Sequence, residues 1–196
     1  MPLVVDRDKR RRSIAALATK IIAEDGPDAI TVRRVAAAAG YSTQIVSHYF
    51  TNKDELLCFV FREAAIDAIR RVRKLQCNED LQHCLELLLP IEPESRQTWR
   101  MWIAFWGRAA SNDAFAREQI ATAAAARGLI KDLLESDRLR VHFASDFDSE
   151  AGSQRLLATI IGLAVQAVLD PKAWTPSKQR RVLAAEIKSM LPGSKK

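Results

Sequence analysis

The chain has 196 residues, of which 48% are hydrophobic and 28% charged, a composition that supports a sizeable core and argues against intrinsic disorder. The net charge of +6 is compatible with a polyanionic partner. The most apolar stretch, residues 158–169, is short for a bilayer span and contains Gln166, and the opening MPLVVDRDKRRR lacks a signal-peptide pattern. We therefore expect a cytoplasmic protein that does not enter a membrane.

Residue types that support metal or catalytic chemistry are sparse. The cysteines, at positions 58, 77 and 84, lack CxxC spacing, and His83 beside Cys84 points to a different side of a helix. The chain also lacks GxSxG, HExxH, the P-loop and the dinucleotide-binding fingerprint. We expect no metal, no cofactor and no enzymatic activity, and we interpret the cysteines as small buried thiols.

Hydrophobic periodicity and capping residues predict an all-α fold without strands. Gly26-Pro27 is expected to end the first helix, and Thr31 and Ser42 are expected to cap the second and third. A break is expected at 77–80 and a loop at 142–149. The predicted helices span about residues 10–25, 31–39, 42–49, 53–74, 81–89, 94–111, 113–136, 150–169 and 176–190.

Residues 31–50, TVRRVAAAAGYSTQIVSHYF, have the spacing of a helix-turn-helix. Ala36 is small enough for a close helix crossing, and Gly40, four residues later, suits a turn that needs a positive φ. Val46 follows six residues after the glycine, where it would be buried against the preceding helix. The spacing predicts that the second helix lies in a DNA major groove and that the protein is a regulator.

The polar residues around this motif are candidates for contacts with DNA. At the start of the recognition helix, Gln44 can pair with adenine and Thr43 can offer its methyl group to thymine. Basic and hydroxyl groups nearby suit phosphate oxygens, and the basic run at 9–12 can cross the backbone or enter the minor groove. The expected DNA-binding residues are Lys9, Arg10, Arg11, Arg12, Thr31, Arg34, Ser42, Thr43, Gln44, Ser47, His48, Tyr49, Thr51 and Lys53.

The segment GYSTQIVSHYF followed by NKDELL, with the helix before it, resembles the DNA-binding half of the TetR family of bacterial repressors over about residues 10–57. The resemblance implies an all-α homodimer whose N-terminal three-helix domain binds a palindromic operator. It also implies a C-terminal helical domain that dimerises and binds a small effector, which releases the DNA. This places a helix-turn-helix domain at 1–52 and an effector-binding and dimerisation domain at 53–196.

The run WRMWIAFW places aromatic residues three and four positions apart, on one face of a helix. Such a stripe either packs in the core or lines a ligand cage, in which ring faces attract quaternary ammonium groups. The run, with NDAFAREQ after it, resembles the choline-responsive BetI-like branch of the TetR family, which implies a choline-like effector. The residues expected to bind the ligand are Trp99, Trp102, Phe105 and Trp106.

The stretch 150–169 is apolar over most of its surface and is either a central core helix or an interface helix. The family resemblance implies the second, because the last two long helices of each subunit then form an intersubunit four-helix bundle. The residues expected at this dimer interface are Leu156, Ile160, Leu163, Ala164, Val168, Val182, Leu183 and Ile187.

Together these features predict a ligand-responsive transcriptional regulator, a repressor that a small effector releases from its operator. One alternative is a helix-turn-helix protein whose C-terminal half binds a protein partner instead of a small molecule. Another is a non-specific architectural protein, which would bind DNA with strong salt dependence and little sequence preference.

Overall fold

The computed structural model describes residues 7–75, 80–136 and 143–192, and within these ranges every regular element is a helix. The predicted all-α fold is therefore confirmed, whereas the break expected at 77–80 lies almost wholly outside the described residues. A short 3-10 turn, Pro27–Ala29, joins the first two helices. The helices are α1 (Arg7–Asp25), α2 (Val32–Ala39), α3 (Thr43–Tyr49), α4 (Lys53–Leu75), α5 (Leu81–Glu86), α6 (Pro93–Ala109), α7 (Asp113–Glu135), α8 (Ser149–Leu169) and α9 (Pro176–Ser189).

Two compact units divide the chain. Unit 1 comprises the described residues up to Ala64 together with Arg100–Gln119, and unit 2 comprises Ala65–Trp99 and the described residues from Ile120 onward. The boundaries fall inside α4, α6 and α7, so each of these helices contributes residues to both units. The functional division expected after position 52 remains a prediction.

The core of unit 1 holds the helix-turn-helix together. Val35 and Val46 are fully buried and Ala36 is 2% exposed, so α2 and α3 pack closely, as the spacing predicted. Phe50, directly after α3, is also fully buried, and its ring centre lies 5.4 Å from that of Phe59 in α4. A helix as short as α3 is not stable alone, so this packing sets its orientation.

A glycine and two N-cap side chains determine where these short helices begin and end. Gly40 has a φ of 66°, a left-handed conformation that ends α2, and a Cβ there would meet no heavy atom within 4 Å. The backbone conformation, and not crowding, therefore favours glycine at this position. The Thr31 hydroxyl accepts from the Arg34 amide at 3.1 Å, and the Ser42 hydroxyl accepts from the Ile45 amide at 3.3 Å, so both predicted N-caps are confirmed.

Unit 2 has a core of its own, to which α7, α8 and α9 contribute. Asp148 caps α8 by accepting from the amides of Glu150 and Ala151 at 2.9 and 3.0 Å. The chain approaches itself closely at Gly152, where an added Cβ would lie 2.7 Å from Phe147 Cζ. The almost fully buried residues include Leu85, Leu129, Ile130, Leu133, Leu134, Leu156, Ile160, Leu163 and Leu183.

The predicted helix boundaries hold to within a few residues in most cases, but α5 is shorter than expected. It ends at Glu86, after which the amides of Leu88 and Leu89 bond three residues back and continue the chain as turns. Pro90 has no amide to donate, which accounts for the end of the helix before it. The described part of the expected loop, residues 143–148, is non-helical, so that prediction is confirmed.

Candidate nucleic-acid interface

One side of α3 is exposed and the other is buried. Val46 is fully buried, and at about 100° of rotation per residue Gln44 and His48 project from the opposite side. The members of the predicted DNA-binding set that are exposed on this helix and at its cap are Ser42, Thr43, Gln44, Ser47 and His48. Their amide, hydroxyl and imidazole groups are donors and acceptors of the kind that can pair with base edges in a major groove.

Two residues expected to contact DNA, Tyr49 and Thr51, also make contacts within the protein at the junction between α3 and α4. Tyr49 is half-buried against the unit 1 core, and its ring meets that of His48 edge-on with centroids 5.3 Å apart. Thr51 is exposed, and its amide donates to Glu55 Oε2 at 2.7 Å. Asn52 accepts from the Glu55 amide at 2.8 Å, so the start of α4 is capped in both directions.

Two cations expected at phosphates also make contacts within unit 1. Arg34 pairs with Asp25, and both side chains are nearly half exposed. Lys53 Nζ donates to the Asp28 carbonyl oxygen at 3.0 Å. An exposed ion pair contributes only about 0–1 kcal/mol, so a phosphate group can replace Asp25 as the partner of Arg34 at small cost.

The basic run at 9–12 contains side chains in different environments. Lys9 and Arg12 are exposed near the start of α1. Arg10 is half-buried, and its guanidinium carbon lies 5.6 Å from the centre of the Tyr41 ring, a cation–π contact to the turn before α3. The two exposed members are therefore the ones most accessible to DNA.

Arg11 braces α1 against α4. Its guanidinium carbon lies 4.9 and 4.6 Å from the ring centres of Phe50 and Phe59, and it donates to Glu55 Oε1 at 3.0 Å. Burial alone would raise the pKa of Glu55, but the hydrogen bond from Thr51 and the charge of Arg11 hold that pKa below its ordinary value of 4.5. The pattern of the basic run did not indicate that Arg11 has this structural role.

Further ion pairs within unit 1 link α6 and α7 to α4 and to the 3-10 turn. Arg108 lies 3.6 Å from an Asp28 carboxylate oxygen and 3.5 Å from one of Asp54. Arg62 pairs bidentately with Glu118, which is only 9% exposed, and hydrogen bonding to this carboxylate raises the pKa of the guanidinium. No sequence motif indicated these pairs, because their members lie far apart along the chain.

The residues expected to bind a ligand are divided between the units. In unit 1, Phe105 stacks on Phe61 with ring centres 3.8 Å apart, and Trp102 meets Phe61 edge-on at 6.4 Å. Trp106 Nε1 donates to Gln119 Oε1 at 2.5 Å. Trp102 and Phe105 therefore lie in one aromatic cluster with Phe61, and Trp106 packs against the same hydrophobic core.

Trp99, the fourth candidate, belongs to unit 2. It is 4% exposed, and its Nε1 donates to the Leu88 carbonyl oxygen at 2.8 Å. The residues on either side of Leu88 help to line a cleft of about 330 Å³, whose walls also include a Glu86–Arg180 ion pair at 3.1 Å. None of the four predicted ligand residues lines this cleft.

Most of the residues expected at a dimer interface are buried within a single chain. The side chains exposed by 4% or less are Leu156, Ile160, Leu163, Ala164 and Leu183. The half-buried ones are Val168, Val182 and Ile187. The opposite side of α8 is also apolar, and there Ala158 and Gly162 are exposed and Leu169 is 71% exposed. Periodicity alone did not distinguish these two sides, because both are apolar.

By length and composition alone, α8 is also long and apolar enough to cross a membrane, although the apolar stretch 158–169 within it was expected to be too short. Of its most apolar window, 39% is buried inside the molecule. Core helices of soluble proteins can be equally long and apolar, and the inner side of α8 packs as a core helix of unit 2.

Among the described residues, no group of three or more His, Cys, Asp or Glu side chains is placed to hold a metal ion. Cys84 is 1% exposed. Burial raises the pKa of the half-buried Cys58 thiol to about 11, which keeps it protonated and unreactive at neutral pH. Cys77 and His142 lie outside the described residues.

An exposed helix fixed by a buried helix-turn-helix core, in a chain whose second unit is also helical, is the arrangement typical of a DNA-binding transcriptional regulator. Residues 14–58 match the family described as bacterial regulatory proteins, tetR family, and residues 78–192 match the C-terminal family of BetI-type transcriptional repressors. The chain belongs to the TetR family. Its relatives are named as transcriptional regulators and are not enzymes.

Relatives and solved structures agree with this assignment. The HTH-type transcriptional regulator PksA of Bacillus subtilis is 31% identical, over 97% of this chain and 94% of that protein. BetI of Escherichia coli K12 is 26% identical, over 98% and 99%. A Rhodococcus transcriptional regulator has a TM-score of 0.77 at 27% identity, covering 93% and 96%. A regulator from Saccharomonospora viridis, solved in complex with choline, has the same fold, with a TM-score of 0.77 at 22% identity over 94% and 98%.

Proposed function

We propose that this protein is a cytoplasmic repressor that binds a palindromic operator as a homodimer and leaves it when a choline-like quaternary ammonium effector binds. The observation that carries the proposal is the exposed side of α3. Burial of Val46 and Phe50 fixes this side in orientation, while Gln44 and His48 remain exposed. A short helix held in this way is suited to read base edges.

For the homodimer we propose the exposed side of α8 as the interface. Two-fold symmetry would set two α3 helices about one DNA turn apart, which suits a palindrome. Leu169 is 71% exposed, and the small residues Ala158 and Gly162 allow two helices to approach closely. Ile161 and Val165 complete this side at helical spacing and are half-buried within one chain. This interface uses the side of α8 opposite to most of the residues first expected there.

For the effector we propose the aromatic cluster of unit 1, with Glu118 as the counter-charge. Quaternary ammonium groups bind to ring faces and gain further from a nearby carboxylate. Glu118 is next in sequence to Gln119, which accepts from Trp106, and its charge is neutralised by Arg62 of α4. A cation among the rings competes with Arg62 for this carboxylate. The BetI-type match and a choline complex in a protein of the same fold support this choice of ligand.

Release of DNA follows if the loss of the Arg62–Glu118 pair shifts α4, which is joined to α3 by the three residues 50–52. Binding of the effector then favours a pose of α4 in which the two reading helices no longer fit successive major grooves. A coupling of about 1–3 kcal/mol weakens operator affinity by about 5–150-fold.

The test begins with the operator. Purified full-length protein would be used to enrich duplexes from a random pool, and the consensus duplex would then be titrated by fluorescence anisotropy. Choline and tetramethylammonium are the ligands, and 3,3-dimethylbutanol is the uncharged control of the same shape as choline. The proposal expects a two-fold symmetric consensus and weaker binding with the cations alone. An asymmetric consensus would refute the palindrome, and unchanged affinity with every cation would refute the effector class.

A matched pair of variants tests the counter-charge. Glu118→Gln should bind the operator more weakly than the wild type even without choline, because the Arg62–Glu118 ion pair is lost. Its remaining operator binding should show little further response to choline, because the carboxylate is gone while the shape is kept. Glu94→Gln, an exposed carboxylate of α6, should respond like the wild type. An unchanged choline response in Glu118→Gln would remove Glu118 from the effector site.

A further inference from the structure

Ile45 is an exposed aliphatic residue on the recognition helix. Its side chain is 38% exposed, whereas the next residue, Val46, is fully buried. Ile45 is neither in the buried cluster of unit 1 nor among the partly buried hydrophobic residues packed against it. Its amide donates to the Ser42 cap, which fixes the backbone of Ile45 without using the side chain.

The position of Ile45 places an apolar group at one margin of the reading side of α3. At about 100° of rotation per residue, Ile45 lies about a quarter turn from Val46 on one side, and Ser47 lies about a quarter turn away on the other. Gln44 and His48 project between these two margins. The reading surface is therefore polar at its centre and at the Ser47 margin, and aliphatic at the Ile45 margin.

The major groove offers one apolar group at base edges, the 5-methyl of thymine. Phosphate oxygens and the polar base edges provide nothing that an isoleucine side chain can satisfy. Isoleucine is also stiff at χ1, so little conformational freedom is lost when it packs. These properties match the aliphatic margin of α3 to a thymine.

We infer that Ile45 is a specificity-determining residue that packs against the 5-methyl group of one thymine in each operator half-site. The inference rests on the proposed reading of DNA by α3 and adds a base preference to it. Burying one methyl group corresponds to a change of about fourfold in affinity, or about 15-fold when both half-sites of a palindrome are changed.

The experiment removes the methyl group from the DNA and the aliphatic group from the protein, separately and together. In the enriched consensus duplex, each thymine would be replaced in turn by deoxyuridine, symmetrically in both half-sites, and the affinity of the full-length protein measured by anisotropy. One thymine position should show the loss of about 15-fold. Ile45→Ala should weaken binding to the thymine duplex by at least this factor and show no further loss with deoxyuridine there.

Thr43→Ser provides the control, because it removes a methyl group from a neighbouring residue of the same helix. This variant should remain sensitive to deoxyuridine at the position assigned to Ile45. Far-ultraviolet circular dichroism should show that Ile45→Ala is folded, as expected for a side chain outside the core.

The possible results of this experiment separate failure of the inference from failure of the proposed DNA binding. If deoxyuridine weakens Ile45→Ala as much as the wild type at every position, the two groups do not touch and the inference is wrong. If no position responds in the wild type, the inference is also wrong, although the proposed operator binding stands. If no duplex is enriched at all, sequence-specific reading by α3 fails and the inference fails with it.

Discussion

Replacing Gly40 with alanine isolates the backbone cost of the turn between α2 and α3. Gly40 has a φ of 66°, and a Cβ added there would meet no heavy atom within 4 Å. Neighbouring atoms therefore add no steric penalty, and the cost is that of a left-handed backbone for a residue with a Cβ, about 1–2 kcal/mol. In a protein of this size such a loss lowers Tm by about 2–8 °C.

Gly107 in α6 supplies a matched control. An added Cβ at Gly107 also meets no heavy atom within 4 Å, but its φ is not in the positive range. Alanine in a helix interior is favoured over glycine by about 0.5–1 kcal/mol, so Gly107→Ala should raise Tm. The same chemical change therefore has opposite signs at the two sites.

The assay is thermal unfolding followed by far-ultraviolet circular dichroism, on wild type and both variants at one protein concentration. A third variant, Gly40→Asn, should melt between wild type and Gly40→Ala, because asparagine tolerates the left-handed region better than alanine. A Gly40→Ala variant that melts at or above the wild-type temperature would refute the conformational argument.

Three further changes test other parts of the fold. Gly152→Ala should lower the free energy of unfolding by about 1–3 kcal/mol in urea titrations, because its Cβ would overlap the Phe147 ring at 2.7 Å. The pKa of Glu55 is depressed in the folded state, so its stabilising effect is present above the unfolded pKa and is lost as pH falls through the folded value, below 4.5. Arg11→Met should therefore reduce the decrease in Tm on acidification. Leu169→Ala should weaken self-association in sedimentation velocity while leaving the monomer folded, since this side chain is 71% exposed.

For each of these three predictions, one experimental result would contradict the reasoning. An unchanged urea midpoint for Gly152→Ala would show that the Phe147 ring moves aside without cost. An acid response of Arg11→Met equal to that of the wild type would mean that other groups control Glu55. For Leu169→Ala, dimerisation of wild-type strength would place the interface away from the exposed side of α8.

The helix-turn-helix could be predicted because its signals are local. Ala36, Gly40 and Val46 lie within eleven residues, and the size, backbone freedom and burial that each position requires depend on adjacent turns of one motif. The N-caps at Thr31 and Ser42 are local for the same reason. The structure confirms each of these features.

The surroundings of the candidate sites could not be predicted, because they depend on contacts between distant segments. Arg11 was indistinguishable from its basic neighbours until the fold brought it to Glu55, forty-four residues away. Trp99 has the helical spacing of Trp102 but packs in a different unit. On α8, an apolar pattern on both sides left open which side faces the core and which faces solvent.

The seven-residue length of α3 has a consequence for how the protein responds to heat. A helix this short does not persist without the packing of Val46 and Phe50, so it has no partly folded form that still presents its reading side. Warming is therefore expected to abolish the proposed operator binding in the temperature interval in which the unit 1 core melts. Under the proposed repressor role, a gene silenced by this protein would then be expressed on heating alone, without any effector.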